Sequence, residues 1–131
     1  AALCRKIAEL PDAGGEIEIW GSGKQTRSFL YVEEAVEAVI RLMRSDYRLP
    51  VNIGSSESVT IDQLAKGIAH YAKKDITIKH VPGPLGVDGR NSDNTLIEYV
   101  LDWKPNLSLW QGLMPTYDWI KQEVDKLPDA I

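Results

Sequence analysis

Two arginines on glycine-rich segments are the residues of this chain that point most directly to chemistry. Arg27 follows a turn at residues 21–23, and Arg90 lies in segment 82–94, which contains three glycines and two prolines. Glycine allows the backbone to approach a ligand closely. A guanidinium presents a fork of donors that matches phosphate or carboxylate oxygens. The two segments therefore indicate a binding site for an anionic ligand.

Each arginine also has a second interpretation. Arg27 is equally compatible with a surface residue paired with a carboxylate, an arrangement that contributes little stability. Arg90 is also compatible with a solvated turn whose asparagine and aspartate side chains bond their own backbone. We expect Phe29–Val32 to be anchored in the core, which would hold Arg27 in place beside an adaptable turn.

Asn52 is a further candidate. It lies between Val51 and Ile53 at the end of a short apolar segment, so we expect its side chain to be drawn into the interior. A buried amide requires hydrogen-bond partners. Asn52 would then either support a ligand or tie two loops together, and the residues alone leave both roles open.

Other kinds of site are not indicated by the residue pattern. The pair Gly23-Lys24 is followed by Gln25, so the phosphate-loop motif is incomplete, and no predicted strand leads into G-x-G-x-x-G. Cys4, His70 and His80 do not have the spacing of metal ligands. No nucleophile lies beside a base in the sequence. We therefore predict no catalytic, cofactor-binding or metal-ligating residues.

The composition is that of one ordinary globular domain. Of the 131 residues, 44% are hydrophobic and 26% charged, and the net charge is -4, which argues against a general nucleic-acid surface. The single cysteine suits a reducing compartment, and no apolar run is long enough to span a membrane. We expect a cytoplasmic protein that binds neither nucleic acid nor membrane. Because the chain opens inside a helical pattern without a capping residue, we also expect a fragment of a longer protein.

Hydrophobic periodicity predicts alternating strands and helices. Strands are predicted at residues 16–20, 27–32, 49–53 and 76–81, and helices at residues 3–10, 33–44, 61–72, 95–100 and 109–124. Thr60 and Gln63 have the spacing of a capping box. Alternation with short connections predicts an α/β domain, or α+β in isolation, with a small sheet and helices packed against it.

Four blocks of sequence, in order, resemble the C-terminal portion of extended short-chain dehydrogenase/reductases that act on nucleotide sugars. The first contains Gln25-Thr26-Arg27-Ser28-Phe29 and leads into Tyr31-Val32-Glu33-Glu34. The others are residues 51–54 with 59–61, residues 101–105, and Gly112-Leu113. The resemblance covers nearly the whole chain.

The resemblance implies that residues 1–131 form the C-terminal substrate-binding domain of an NAD-dependent epimerase/dehydratase. NAD would then be bound by an N-terminal Rossmann domain that is absent here and that carries a catalytic Tyr-x-x-x-Lys pair. Tyr31, Tyr71 and Tyr99 have no lysine four residues later. We expect the chain to lack the pair and to be inactive alone. The implied partners are a nucleoside-diphosphate sugar, the missing Rossmann domain and, in a homodimer, a second copy.

The resemblance also implies roles for individual residues. Arg27 and Arg90 would hold the diphosphate of a nucleotide sugar, with Gln25 and Asn52 as polar supports, and a GDP-hexose is the implied substrate. Asp88 departs from the pattern, because a carboxylate two residues from Arg90 weakens an anion site unless it points away. The alternatives are another nucleotide-sugar 4-epimerase, 4,6-dehydratase or decarboxylase, or a non-catalytic ligand-binding or interaction domain.

Overall fold

The described chain forms five helices and five short to medium strands. The structure is a computed structural model and describes residues 1–84 and 86–127. In chain order the elements are α1 (Ala2–Ala8), β1 (Gly14–Trp20), β2 (Thr26–Ser28), α2 (Val32–Arg44), β3 (Ser58–Thr60), α3 (Ile61–Ala72), β4 (Asp75–Val81), β5 (Gly89–Arg90), α4 (Thr95–Leu101) and α5 (Leu109–Asp125). The predicted α/β class is confirmed, with two small sheets in place of one.

Capping residues fix where two of the helices that pack on the main core begin. Thr60 and Gln63 form the predicted capping box at the start of α3, which satisfies two backbone N–H groups that have no partner within the helix. Ser108 and Gln111 form a second capping box at the start of α5. That helix begins at Leu109 and continues through Pro115, so the proline neither delays its start nor ends it.

The strands pair in two separate groups. β1 and β4 run parallel over seven residues, from Gly14 opposite Asp75 to Trp20 opposite Val81. β2 lies between its neighbours in the second sheet, antiparallel to β3 and parallel to β5. The second sheet thus brings together three chain segments that are distant in sequence.

The main core lies between the β1–β4 sheet and the helices α1, α3 and α5. Its innermost members include Ile7, Ile17, Ala65 and Ile68. The buried ammonium of Lys74 closes one end of this core by donating to the backbone oxygens of three residues at the end of α1: Ile7 (3.1 Å), Ala8 (3.0 Å) and Leu10 (2.5 Å). Burial lowers the pKa of Lys74, and the carbonyl oxygens supply the partners that a buried cation requires.

A second, smaller core lies beneath one face of α2, where Ala38 packs with Ile97 and Trp103. The opposite face of α2 is apolar but exposed to solvent. Its five exposed hydrophobic residues recur at helical spacing: Val32, Val36, Val39, Ile40 and Met43. An amphipathic helix normally buries its apolar stripe, so this face has no partner among the described residues.

Several predictions of local structure were wrong. The strand predicted at residues 27–32 is limited to β2, and Val32 begins α2. Residues 49–53 are not a strand, because no described strand pairs with them. Phe29 and Val32 are exposed, so the anchor after Arg27 consists of the half-buried Leu30 and Tyr31. Segment 82–94 is not wholly irregular, since it contributes β5 to the second sheet.

Candidate functional site

The pairing of β2 with β5 brings the two candidate arginines together. Arg27 and Arg90 are direct partners in the parallel register, with Thr26 opposite Gly89. Adjacent strands lie about 4.8 Å apart, and residues in register project toward the same face of a sheet. The two guanidinium groups therefore start from neighbouring positions on one face, although they belong to distant parts of the sequence.

The two arginines differ in how they are held. Arg27 is half-buried, and its Nη1 donates to the backbone oxygen of Thr26 at 2.6 Å. Its Nη2 lies close to Gly86, where an added Cβ would be 3.3 Å away. Arg90 is exposed. Within residues 1–84 and 86–127 neither guanidinium is in an ion pair, so the carboxylate-paired interpretation of Arg27 is not supported.

Asp88, the departure from the family pattern, does not neutralise Arg90. Its backbone oxygen accepts a hydrogen bond from the Thr26 N–H at 2.8 Å, which extends the contact between the two arginine-bearing segments. Its side chain is exposed and lines a small cavity of about 170 Å³ together with Lys24 and Gln25. No ion pair joins Asp88 to either arginine in the described structure.

Gln25 holds the turn that precedes Arg27. Its Nε2 donates to the backbone oxygen of Trp20 at 3.0 Å, and its own backbone oxygen accepts from the Ile61 N–H at 3.2 Å. The side chain thus ties the end of β1 to the start of β2. It also reaches the small cavity, so a supporting role beside a ligand remains a prediction.

A second set of contacts stabilises the same turn. Gly23 has a φ of 69°, a conformation that strains residues with a Cβ, and an added Cβ there would overlap Asp62 Oδ1. Asp62 donates its N–H to the Gly23 oxygen at 3.0 Å, and its carboxylate meets His80 Nε2 at 3.0 and 3.1 Å. The turn therefore rests on an Asp62–His80 pair.

The structure exposes one asparagine, Asn52, and buries another, Asn94. Asn52 was expected in the interior but is exposed. Asn94 is buried: it donates to the Gly54 oxygen at 2.8 Å and accepts from Ser92 Oγ at 2.7 Å, so the alternative of a solvated turn does not hold for this side chain. Asn94 therefore ties the segment after Arg90 to the loop at residues 52–55. The sequence feature that accompanies this contact is Gly54. An added Cβ there would lie 2.5 Å from the Ser92 Cβ, so a larger residue would keep the two segments apart.

A large apolar groove opens beside Arg27. Its volume is about 830 Å³, and it lies between the start of α1, the segment after β2, α3 and α5. Arg27 is the only charged side chain among the described lining residues. Cys4 also lines the groove, and burial raises the pKa of its thiol, which keeps it in the unreactive protonated form.

Two motif spacings occur in the sequence without the structure that gives them function. Gly83, Gly86 and Gly89 have the G-x-x-G-x-x-G spacing and follow β4, but they lead into β5. A dinucleotide cradle requires a helix N-terminus at that point. This glycine segment therefore does not fit NAD, and no step of its chemistry is assigned to it.

The spacing Tyr-x-x-x-Lys also occurs, contrary to expectation, at Tyr117 and Lys121 in α5. Tyr117 is buried in the main core, where burial raises its pKa although Lys121 opposes the effect. Its ring packs edge-on against Tyr71 at 5.8 Å, and the Lys121 ammonium pairs with Asp125. A catalytic tyrosine needs a lowered pKa and access to substrate, so Tyr117 is a core residue and the spacing does not mark a catalytic pair.

Comparison with known proteins assigns the chain to a family. The model of the NAD dependent epimerase/dehydratase family matches residues 1–54. GDP-mannose 3,5-epimerase from Arabidopsis thaliana is 49% identical over 126 residues, which cover 96% of this chain and 33% of that enzyme. GDP-mannose 3,5-epimerase 1 from Oryza sativa is also 49% identical, over 96% of this chain and 32% of its own length. The chain belongs to the NAD-dependent epimerase/dehydratase family.

Solved structures of this epimerase/dehydratase family share the fold. UDP-glucose 4-epimerase from Thermotoga maritima, solved with UDP-glucose, has a TM-score of 0.84 and 26% identity, covering 94% of this chain and 39% of that one. UDP-glucuronic acid 4-epimerase from Bacillus cereus, in complex with UDP-glucuronic acid and NAD, has a TM-score of 0.80 and 25% identity, over 92% of this chain and 38% of that one. The chain thus spans about a third of the length of its family relatives.

The described residues contain neither a metal-binding cluster nor a membrane-spanning helix. Residues 1–84 and 86–127 contain no cluster of three or more His, Cys, Asp or Glu side chains arranged to hold a metal ion. Among the same residues, no helix is both long enough and apolar enough to cross a membrane.

Proposed function

We propose that this chain is the nucleotide-sugar-binding part of an NAD-dependent epimerase/dehydratase and that its ligand is a GDP-hexose. The observation that carries the proposal is the register of β2 and β5, which sets Arg27 beside Arg90. A diphosphate is best held by charge-assisted donors from two directions. The relatives with 49% identity, which are GDP-mannose 3,5-epimerases, support the choice of sugar nucleotide.

The binding energy of the diphosphate would serve chemistry that takes place elsewhere on the substrate. Contacts to a remote, unreactive group position the reacting sugar and offset the loss of its freedom of motion. In the whole enzyme, NAD would accept and return a hydride at the sugar, and the residues that bind NAD would lie outside this chain. The role of this chain is to bind and orient the substrate.

The remainder of the protein would cover the surfaces left without partners here. Because the chain spans only a third of its relatives' length, we propose that further sequence packs on the exposed face of α2. We propose that it also pairs with residues 49–53, which no described strand joins. Val51 and Ile53 pack against the small core formed by Ala38, Ile97 and Trp103, so an added strand there would extend the cover of that core.

Removing either arginine should weaken substrate binding. A hydrogen bond to a charged group contributes about 1.5–3 kcal/mol, so we expect Arg27→Ala and Arg90→Ala each to reduce GDP-mannose affinity roughly 10- to 150-fold. Isothermal titration calorimetry on the chain would measure this. Arg41→Ala is a matched control, because Arg41 is an exposed arginine paired with Glu37 on α2.

Unchanged affinity in both arginine variants would exclude the proposed site. A loss in Arg41→Ala equal to that in the other two would show that the binding depends on general charge and not on this pair. The dependence of GDP-mannose affinity on salt should also distinguish these two explanations, because each phosphate contact removed lowers the sensitivity of binding to ionic strength.

The isolated chain should not turn over substrate. We expect no epimerised sugar when it is incubated with NAD and GDP-mannose, because neither a dinucleotide cradle nor an accessible Tyr-x-x-x-Lys pair lies among its described residues. Chromatography of the released sugars would check this, with a complete epimerase as positive control. Robust epimerisation would contradict the assignment of this chain as a binding part alone.

A UDP-hexose is the second candidate ligand. The solved relatives with TM-scores of 0.84 and 0.80 are 4-epimerases solved with UDP-glucose and UDP-glucuronic acid. The same titration with UDP-glucose decides between a GDP-hexose and a UDP-hexose. Tighter binding of UDP-glucose than of GDP-mannose would indicate that the chain comes from a UDP-sugar 4-epimerase.

A further inference from the structure

The first turn of α3 holds the turn that precedes Arg27. A helix begins with N–H groups that have no partner inside the helix. In α3 the first two of these groups, from Ile61 and Asp62, donate to the backbone oxygens of Gln25 (3.2 Å) and Gly23 (3.0 Å). The position of the turn is therefore set by the N-terminus of α3.

The end of β4 holds the same turn from its other side. Val81, the last residue of β4, accepts a hydrogen bond from the N–H of Gly21 at 2.9 Å. From there the chain continues into the segment that contains β5 and Arg90. The turn that precedes Arg27 is thus attached both to α3 and to the strand that leads to the other arginine.

Asp62 and His80 join these two supports. Asp62 lies in the first turn of α3 and His80 near the end of β4, and the two carboxylate oxygens are 3.0 and 3.1 Å from His80 Nε2. An ionised carboxylate only accepts hydrogen bonds, so Nε2 carries the hydrogen and donates it. An added Cβ at Gly23 would lie 2.7 Å from His80 Nε2 and would overlap Asp62, so the turn lies directly on the pair.

The pairing of the two arginine-bearing strands is too short to fix them by itself. In the described structure β2 and β5 are in register at two positions, one of which joins Arg27 to Arg90, and short ladders are marginal without other support. The contacts of α3 and β4 supply that support for the segment before Arg27. The side chains of Asp62 and His80 are 25% and 41% exposed, so their pairing contributes little to stability, and its main effect is on the position of the turn.

We propose that Asp62 and His80 are positioning residues for the arginine pair. By joining the N-terminus of α3 to the end of β4, they set where Arg27 lies relative to Arg90. This inference rests on the proposed function, in which the two arginines hold one diphosphate. Two guanidinium groups bind one diphosphate well only when their donors are aligned with its oxygens. Asp62 and His80 therefore act through Arg27 and not by touching the ligand.

A double-mutant cycle separates positioning from a general loss of structure. We expect Asp62→Ala to weaken GDP-mannose binding about 3- to 30-fold in calorimetry. In the Arg27→Ala background the same substitution should change the affinity by less than about twofold, because its effect passes through Arg27. Partial unfolding would behave differently, since a smaller folded fraction lowers the affinity of both backgrounds by the same factor. His80→Ala changes an exposed residue and tests the same link if Asp62→Ala disturbs the fold.

Conservative variants should restore binding. Asp62→Asn retains an oxygen that accepts from Nε2, and His80→Gln retains an amide N–H that donates. Both should bind GDP-mannose within about threefold of wild type, whereas His80→Ala should lose as much affinity as Asp62→Ala. Glu16→Ala is the matched control, because it removes a carboxylate that pairs with Lys79, the neighbour of His80, but lies toward the other end of β1.

Two results would overturn the proposal. One is an equal loss from Asp62→Ala and from His80→Ala in the wild-type and Arg27→Ala backgrounds, since the effect would then not pass through Arg27. The other is unchanged affinity in Asp62→Ala and His80→Ala while Arg27→Ala and Arg90→Ala lose it. If the wild-type chain does not bind GDP-mannose, the proposed function itself fails, and the positioning role with it.

Discussion

Glu34 shows how a single charged residue can position a distant segment. It lies in the first turn of α2 and is 7% exposed, and its Oε1 accepts from the backbone N–H groups of Asn106 (2.5 Å) and Leu107 (3.0 Å). A buried carboxylate is tolerated only where donors compensate for lost solvation. The two backbone donors fix the segment that leads into α5 and hence one wall of the groove beside Arg27.

We predict that Glu34→Ala lowers the free energy of unfolding by about 3 kcal/mol, because the two backbone N–H groups of Asn106 and Leu107 lose a charged acceptor. Urea unfolding followed by circular dichroism would measure the change. Glu37→Ala, which removes an exposed partner of Arg41 on the same helix, should cost about 0.5 kcal/mol. Equal losses in the two variants would mean that the Asn106 and Leu107 contacts do not stabilise the fold.

At the scale of elements, α3 and α5 are joined by a polar contact at the edge of the main core. Tyr71 on α3 donates its hydroxyl to Asp118 on α5 at 2.8 Å, and its ring meets Tyr117 edge-on. The hydrogen bond to Asp118 raises the pKa of Tyr71. This contact links helix packing to pH, because ionisation of the hydroxyl removes the donor.

We predict that the α3–α5 contact is lost at alkaline pH. A pKa that is raised on folding contributes stability that is fully present below the unfolded value, about 10 for tyrosine, and is lost as pH rises through the folded value. The stability difference between wild type and Tyr71→Phe should therefore be constant near neutral pH and shrink above about pH 10. Thermal unfolding of both proteins across this range would measure it.

Tyr99→Phe is the control for alkaline effects that do not depend on the contact, since Tyr99 is 88% exposed on α4. Its stability difference from wild type should stay flat across the same pH range. A difference for Tyr71→Phe that grows with pH would contradict the sign derived from the Asp118 hydrogen bond.

At the scale of the whole molecule, the exposed stripe on α2 dominates the expected solution behaviour. Met43 is 77% exposed and Val32 is 63% exposed, and contiguous apolar patches on a soluble domain promote association. In a longer protein, the remaining sequence would cover this stripe. In the isolated chain, copies of the same stripe are available to one another.

We predict that the isolated chain self-associates through α2. Sedimentation velocity at high concentration should show species heavier than 14.6 kDa, and Val36→Lys with Met43→Lys should shift the distribution toward monomer, because two charges would have to be buried in the contact. Tyr99→Lys is the control, since it changes an even more exposed residue, on α4. A single 14.6 kDa species in the wild-type chain would refute the prediction.

Local pattern was sufficient for most of the helices and for the two long strands. Apolar spacing identified α3, whose Leu64, Ala65 and Ile68 are buried, and the capping box at Thr60 and Gln63 fixed its first residue. β1 and β4 alternate with a period of two and were recognisable for the same reason. These features depend on residues a few positions apart, which is the range over which helices and strands impose their periodicity.

Short strands and loops could not be predicted in the same way. Residues 49–53 have the composition of a strand, yet a strand requires a neighbour to pair with, and none is described. The Gly83–Gly89 and Tyr117–Lys121 spacings match motifs whose function depends on the adjoining element and on the surrounding packing. In this fold the glycines lead into β5, and Tyr117 lies in the core.

The sequence by itself determined the family resemblance, the helical segments and the two arginines as candidates for anion binding, because these depend on residue type and short-range spacing. The tertiary structure decided that Arg27 and Arg90 are neighbours, that Asn94 and not Asn52 is the buried amide, and that Trp20 faces solvent beside the arginine-bearing segments. Such relations arise from strand pairing and packing between distant parts of the chain. Many different local sequences can make the same long-range contact, so a local sequence does not specify which contact forms.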